Sequence, residues 1–389
     1  MQYNLHSNRI AFVVSIVMVT AFLSFGATVG FRAHYRRQAL IKIEQNGGWV
    51  AYSHEQEPQT LGMGGKHRTV QSPPGPWLLR RILGDAFFVR VVAIDYTFRE
   101  VSGDPASDSL DLAPLQAFPE IDSLDLEACN VTDKDLWRLP TLKRLERLYL
   151  GWNPITDRGL VHLGKLTALK ELDLQHTHVT DDGLRHLGLL HGLERCVLNH
   201  TAVSDDGLRF LSNASNLQKI DLWGTDVTGT AFATLPRSLT HIDMSYSGAT
   251  DSTLASVSQL TSLETISLRG TRVTDEVHRI LNSQKLSQID LRWTFVTEQG
   301  AREIRRQHPE ASVTIGPRVP DEDVAQIKEL IGKTKGIDKR ILGFSRIDEN
   351  QVEVWTGFNR ATLNGKGDII TVRKEDGSWI VVGVCGWLS

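Results

Sequence analysis

Residues 145–192 read LERLYLGWNPITDRGLVHLGKLTA and then LKELDLQHTHVTDDGLRHLGLLHG, and the second half repeats the first. Three leucines recur at fixed offsets, followed by Thr or Asn, then Val or Ile, then Thr-Asp, then Gly-Leu. Self-similarity at a period in the twenties marks a stacked-repeat architecture. Working outward, the template continues from Leu193 (LERCVLNHTAVSDDGLRFLSNASN) and Leu217 (LQKIDLWGTDVTGTAFATLPRS), then from Leu239, Leu263 and Leu286. It begins one unit earlier, at Ile121, with LDLEACNVTDKDL. Eight units start 22 to 24 residues apart and obey L-x-x-L-x-L-x-x-T/N-x-V-T-D-x-G-L-x-x-L-x-x-L.

Each part of the template has a physical role. L-x-x-L-x-L predicts a short strand whose last two leucines share one face at period two. The Thr or Asn (Asn130, Asn153, Thr177, Thr201, Thr225, Thr271, Thr294) falls where the chain leaves the strand and can bond backbone groups that the turn leaves unpaired. The next Thr or Ser can cap a short helix, with the following Asp at its positive end. G-L-x-x-L then buries leucines against the sheet. No unit buries its leucines alone, so the array is stable only through its neighbours. The fold class is α/β: a parallel-strand horseshoe.

This template resembles the leucine-rich-repeat superfamily. The T-D-x-G-L segment is most similar to the cysteine-containing subclass known from F-box proteins, with Thr where that subclass often has Cys. No F-box is present. The flanks LIKIEQNGGWVAYSHE and PPGPWLLRRILGDAFFVRVVAIDY resemble those of membrane-anchored planctomycete repeat proteins, which run span, G-G-x-V-x-Y, W-L-x-x-x-L-G-x-x-F-F, then repeats. The resemblance covers about residues 10 to 315. It implies an architecture and a bacterial inner-membrane location, but almost no biochemistry.

The N-terminus has a different solvent. Ile10 to Phe31 carries no charge, and as a helix it would be about 33 Å long, enough to cross a bilayer core. A cleaved signal peptide is the rival reading, but the run ends in Phe31-Arg32-Ala33-His34-Tyr35, a poor cleavage site. Arg32, Arg36, Arg37 and Lys42 follow the span and Arg9 precedes it, so the positive-inside rule favours a cytoplasmic body. So small a bias on one span leaves the side open.

The chain therefore divides into a membrane anchor (1–31), a juxtamembrane segment and linker (32–76), an N-terminal cap with an irregular first repeat (77–120), the solenoid with its closing strand (121–318), and a small α+β domain (319–389). The cap is expected over Trp77 to Val101, with a strand at Val89–Asp95. A final helix over Gln299–His308 and a closing strand Ser312–Ile315 end the array. In the tail, a helix from Asp321 precedes strands Arg340–Ile347, Gln351–Phe358, Asp368–Lys374 and Ser378–Leu388. This tail is faintly similar to cystatin-like or NTF2-like sheets.

Composition excludes several function classes. A net charge of -3 gives no bulk basic footprint, so no nucleic-acid partner is expected. Cys129, Cys196 and Cys385 fit neither a disulfide framework nor a zinc site, and Cys196 stands in a leucine position as a core thiol. Gly62-Met63-Gly64-Gly65-Lys66-His67 has the wrong spacing for a P-loop, and H-E-x-x-H and G-x-S-x-G are absent. No cofactor and no catalytic group are implied.

What remains is surface. The non-leucine strand positions form columns on the concave face. One reads Asp125, Tyr149, Asp173, Val197, Asp221, Asp243, Ser267, Asp290; the next Glu127, Gly151, Gln175, Asn199, Trp223, Ser245, Arg269, Arg292. A third reads Ala128, Trp152, His176, His200, Gly224, Tyr246, Gly270, Trp293. Trp, Tyr and Arg are the residue types that anchor protein interfaces. The candidate binding residues are Tyr149, Trp152, Asp173, His176, His200, Asp221, Trp223, Tyr246, Arg269, Arg292 and Trp293. The aspartates have a plainer reading, in which they solvate the sheet or bond locally. His176 and His200 occupy equivalent places on adjacent units, where a metal or anion site is a minor alternative to two solvated rings. The first expectation is a membrane-anchored, non-enzymatic scaffold for a protein partner. An enzyme with its site in the tail domain, and an envelope spacer, are the alternatives.

Overall fold

The computed structural model describes residues 28, 31–52, 91–96, 110–316, 321–334, 341–348, 351–358 and 366–388. One sheet runs the length of the repeats in sequential order: β1 (Trp49–Tyr52), β2 (Val91–Asp95), β3 (Ser123–Asp125), β4 (Arg147–Tyr149), β5 (Glu171–Asp173), β6 (Arg195–Val197), β7 (Lys219–Asp221), β8 (His241–Asp243), β9 (Thr265–Ser267), β10 (Gln288–Leu291) and β11 (Ser312–Ile315). From β2 onward every pairing is parallel and in register: Leu124 faces Leu148, then Leu172, Cys196, Ile220, Ile242, Ile266 and Ile289. All eight are at most 2% exposed. Each buried aliphatic side chain of this kind contributes about 1.5–3 kcal/mol. Cys196 is fully buried in that row, and burial raises its thiol pKa.

The strand-exit residues behave as their chemistry dictates. The hydroxyls of Thr177, Thr201, Thr225, Thr271 and Thr294 donate to the carbonyl three residues back, at 2.5–2.7 Å. Asn153 does more: its Nδ2 donates to the carbonyls of Leu126, Leu150 and Gly151, and its Oδ1 accepts from Val131 N. Helices are shorter than the template suggests. Asp157–Leu163, Asp181–Leu184 and Asp205–Leu208 are α-helical, whereas Leu136–Thr141, Thr253–Gln259 and Asp275–Arg279 are 3-10 turns.

The Asp of Thr-Asp does something that its position alone does not announce. Each carboxylate accepts from both the backbone N–H and the hydroxyl of the next unit's Thr or Ser. The links run Asp133 to Thr156, Asp157 to Thr180, Asp181 to Ser204, Asp205 to Thr228, Asp251 to Thr274 and Asp275 to Thr297, at 2.6–3.1 Å. Burial alone would raise the Asp205 pKa, but bonds from Ala231, Thr228 and Gly229 outweigh it and hold the group below the ordinary range. The same Thr or Ser oxygen accepts an N–H at the start of its own helix, as at Arg158, Asp182 and Asp206. The motif's glycine follows from this arrangement: a Cβ at Gly183 or Gly207 would lie 2.3 Å from an Asp oxygen of the preceding unit. The chain of links breaks once. Gly229 replaces the Asp after Thr228, and Thr253 Oγ1 takes over as acceptor for Thr250 N.

The N-terminal end is closed from further upstream than the sequence suggests. A helix over residues 31–45 puts Ala39 and Ile43 into the solenoid core, and β1 pairs antiparallel with β2. Arg36 bonds Glu120 and lies 4.8 Å over the Phe118 ring. Residues 32–52, assigned from sequence to the juxtamembrane segment, thus belong to the cap, because Ala39 and Ile43 find apolar partners there. Most of the expected cap, residues 77–90, lies outside the described residues, as do residues 10–27 of the expected span. Among the described residues, no helix is long and apolar enough to cross a membrane.

Considered by itself, the tail is a four-stranded antiparallel meander, β12 (Ile341–Asp348), β13 (Gln351–Phe358), β14 (Lys366–Glu375) and β15 (Ser378–Leu388), with the helix Asp321–Lys333. Ile327 and Ile331 of that helix pack on Val352, Val354, Ile370, Val372 and Trp379. Asp323, buried at the helix start, accepts from Lys374 Nζ at 2.6 Å and Trp379 Nε1 at 2.9 Å.

Candidate binding surface on the concave face and its rim

The backbone turns through the left-handed region at the strand exit, one residue before Cys129, Asn153, Thr177, Thr201, Thr225, Ser247, Thr271 and Thr294, so Cys129 rather than Asn130 takes the exit position of the first unit. Ala128, Trp152, His176, His200, Gly224, Tyr246, Gly270 and Trp293 have φ between 51° and 69°. These are the eight residues of the third column. Left-handed backbone costs a non-glycine residue about 1–2 kcal/mol, yet large rings hold five of the eight rungs. The turn aims them along one line at the C-terminal rim of the sheet, spaced by the ~4.8 Å between strands.

The rings form a continuous row, face to face over its first two pairs and edge-on or tilted beyond. Trp152 lies on His176, with centroids 3.6 Å apart and planes 18° apart. His176 stacks on His200 at 4.2 Å, and His200 meets the edge of Trp223 at 4.3 Å. Trp223 continues to Tyr246 at 6.1 Å, and Tyr246 to Trp293 at 5.8 Å. Arg269 places its guanidinium 3.7 Å over Trp293 and 5.7 Å from the Tyr246 ring. The two glycine rungs explain the substitution pattern. At Gly224 and Gly270 the preceding residue, Trp223 or Arg269, supplies the planar group instead. A Cβ at Gly224 would lie 2.8 Å from His200 Nδ1, and one at Gly270 2.6 Å from the Tyr246 ring.

Stacking sets the chemistry of the histidines. His176 is only 9% exposed. Burial, then the neighbouring His200, lower its pKa to about 4, and burial lowers that of His200 as well. The lone pairs of two stacked rings lie in near-parallel planes and do not converge on one ion. Among the described residues, no group of three or more His, Cys, Asp or Glu is placed to hold a metal.

The strand columns carry a more local chemistry. Asp173, Asp243 and Asp290 each accept the backbone N–H two residues on, from Gln175, Ser245 and Arg292. Burial raises the Asp173 pKa to about 7, against the bond from Gln175 and with Glu127 and Asp221 adding to the rise. Asp221 accepts from Arg195 at 2.9 Å. Tyr149 donates to Glu171 at 3.0 Å, and burial followed by that carboxylate raises its pKa. Arg292 is not a free cation: its Nε and Nη2 grip Asp290 at 2.5–3.1 Å. Of the sequence candidates, Trp152, His176, His200, Trp223, Tyr246, Arg269 and Trp293 come together in one array. Tyr149, Asp173, Asp221 and Arg292 instead bond neighbours on or beside the strands: Glu171, Gln175, Arg195 and Asp290. The sequence reading overlooked the left-handed backbone and the role of Gly224 and Gly270. Two glycines in a column of large rings were the available signal.

A family model described as Leucine Rich repeat matches residues 143–164 and 165–188, the units that carry β4 and β5. The other units reproduce their strands, strand-exit turns and register, so the array is a leucine-rich-repeat solenoid. No curated protein matches the chain. Among solved structures it is similar to internalin C2 of Listeria monocytogenes, at 20% identity and a TM-score of 0.40 over 52% of this chain and 83% of that one. It is also similar to a leucine-rich-repeat protein of Leptospira interrogans, at 17% identity and 0.40 over 58% and 59%.

Proposed function

We propose that the chain is a non-catalytic scaffold that captures a protein partner along the concave face and its aromatic rim. One observation carries this reading: the row of rings from Trp152 to Trp293. It holds bulky rings in a backbone conformation that glycine adopts freely, and the fold uses glycine there twice. Trp152 and Trp223 remain 51% and 39% exposed. Rings held in a row lose little side-chain entropy on binding and offer large area, which is how interface anchors act.

The scaffold is anchored in a bacterial inner membrane by the uncharged run Ile10–Phe31, whose length supports a single span. The order of span, G-G-x-V-x-Y segment, W-L-x-x-x-L-G segment and repeats supports kinship with the planctomycete group. The T-D-x-G-L motif supports the cysteine-containing subclass. Crosslinking with mass spectrometry on native membranes tests the reading. Alanine at Trp152, Trp223 and Trp293 together is expected to abolish capture of the crosslinked partner. Capture at wild-type yield would rule out the rim as the binding surface.

A further inference from the structure

Two neighbouring units carry an arginine at the same strand position and treat it differently. Asp290-Leu291-Arg292 lies in register with Ser267-Leu268-Arg269. Arg292 folds back on the Asp two residues earlier and bonds it through Nε and Nη2. Arg269 has Ser267 in that place, and the Ser267 hydroxyl bonds Ser245. Asp243, the carboxylate one unit the other way, is taken by the backbone N–H and hydroxyl of Ser245. With no acid two residues back, Arg269 turns to the rim, 3.7 Å over Trp293 and 5.7 Å from the Tyr246 ring. Among the described residues, no carboxylate pairs with it. Its Nε is buried without a partner, so the two terminal nitrogens are the ones that a ligand can reach. A half-buried charge with no counter-ion is costly, and an orphaned buried donor in a folded chain calls for an explanation.

We infer that Arg269 is a carboxylate receptor, which binds an acidic group of the protein partner in place of the aspartate that its own unit lacks. A guanidinium presents paired N–H donors in its plane, and these match the two oxygens of a carboxylate. Packing on Trp293 uses a face of the group and none of its donors. The rings also keep water from it, so a charge pair formed there is stronger than one in bulk solvent. Two arginines against the single Asp290 leave the concave positions of these two units with a net positive charge, the sign that attracts an acid. The neighbouring pair of Arg292 and Asp290 shows the same recognition made within the chain. An Asp or Glu side chain and a chain terminus offer the same carboxylate chemistry.

This assignment rests on the rim being a protein-binding surface, and its test separates the two. The full chain, labelled with fluorotryptophan, gives a fluorine NMR signal for each of its nine tryptophans, and Trp293→Phe and Trp152→Phe assign two of them. N-acetyl-glutamate α-amide offers a side-chain carboxylate, N-acetyl-glycine a terminal one, and N-acetyl-glutamine amide neither. The acids are expected to shift the Trp293 signal saturably and leave Trp152 unmoved, and the tighter acid names the source. The glutamine probe should bind about tenfold more weakly. Ser267→Asp supplies the carboxylate from within and should weaken both acids about tenfold, whereas Ser267→Asn should not. Arg269→Gln should erase the preference for acid over amide. An unchanged Trp152 signal in each variant reports an intact array. A Trp293 signal silent to both acids, an amide equal to the acids, or acids that bind Ser267→Asp as well as wild type would overturn the receptor. Partner capture alongside a silent Trp293 would sink the receptor and leave the binding reading standing; acids that bind a chain capturing no protein would do the reverse.

Discussion

Two ladders run along the solenoid, a few residues apart in every unit, and they are built on opposite plans. The Asp-to-Thr ladder keeps Asp against a Thr or Ser, and the same pair of bonds, at each of its six links. The rim ladder keeps only its backbone conformation, and its side chains change from Ala to Trp, His, Gly and Tyr. A ladder of identical links answers a demand that is equal at every rung, which is to hold neighbours together. A ladder with constant geometry and changing chemistry presents a different face at each rung, as a surface that discriminates between ligands must.

That contrast gives an ordered set of tests. The largest effect is expected in the polar ladder. Gly183→Ala forces a Cβ against Asp157, and overpacking of this kind costs about 1–3 kcal/mol. Asp157→Ala removes two charge-assisted bonds and strands the Thr180 N–H, a loss of about 3 kcal/mol by urea denaturation. The double variant should lose less than the sum, because the truncated Asp frees the space that the new methyl needs. Strict additivity would separate the two residues.

In the rim ladder the effect should fall on binding instead. Trp152→Ala is expected to weaken partner binding by about 2 kcal/mol, the range of an aromatic anchor. Its urea midpoint should move less than that of Asp157→Ala. Equal losses of stability would make both ladders structural.

The third test uses pH. His176 titrates near 4 when folded and about 6.5 when unfolded, so the unfolded chain binds the extra proton between those values. Its contribution to stability is present above pH 6.5 and is lost as pH falls toward 4. Asp173 titrates near 7 when folded and about 3.9 when unfolded; here the folded chain holds the proton, and stability is lost as pH rises through that window. The two slopes oppose each other. His176→Gln should gain on the wild type as pH falls from 6.5 to 4, and Asp173→Asn should gain as it rises from 4 to 7. Each slope is bounded by about 1.4 kcal/mol per pH unit. Stability against pH, compared pairwise with the wild type, reads both; parallel curves would remove His176 and Asp173 from the balance.

The smallest effect is conformational. Trp293 has φ of 60°, so Trp293→Gly should be more stable than Trp293→Ala by about 1 kcal/mol. The reverse order in urea melts would mean that the rung relaxes out of the left-handed region.

Much of this was legible in the chain. The eight units, the closing strand Ser312–Ile315 and the bounds of Gln351–Phe358 and Ser378–Leu388 follow from periodicity, because period-two burial and repeat spacing are properties of the sequence itself. The partner of each Asp was not legible. Its bonds go to a residue 22 or 23 positions on, and a local reading finds the nearer helix end first. The upstream part of the cap was not legible for a similar reason: Ala39 and Ile43 look like part of a charged juxtamembrane stretch until the solenoid end offers them an apolar surface. The concave columns were correct as positions, but position does not reveal that Arg292 is held by Asp290 while Arg269 lies on rings.

The reversed first strand has one more consequence. A stack of parallel units is a crystal in one dimension, and any copy of the unit could in principle extend it by translation. β1 runs against that direction, so at this end the next layer is not a translated copy of the last. Among the described residues, neither ladder continues onto this strand. The antiparallel first strand thus ends the translational repeat that the parallel units set up.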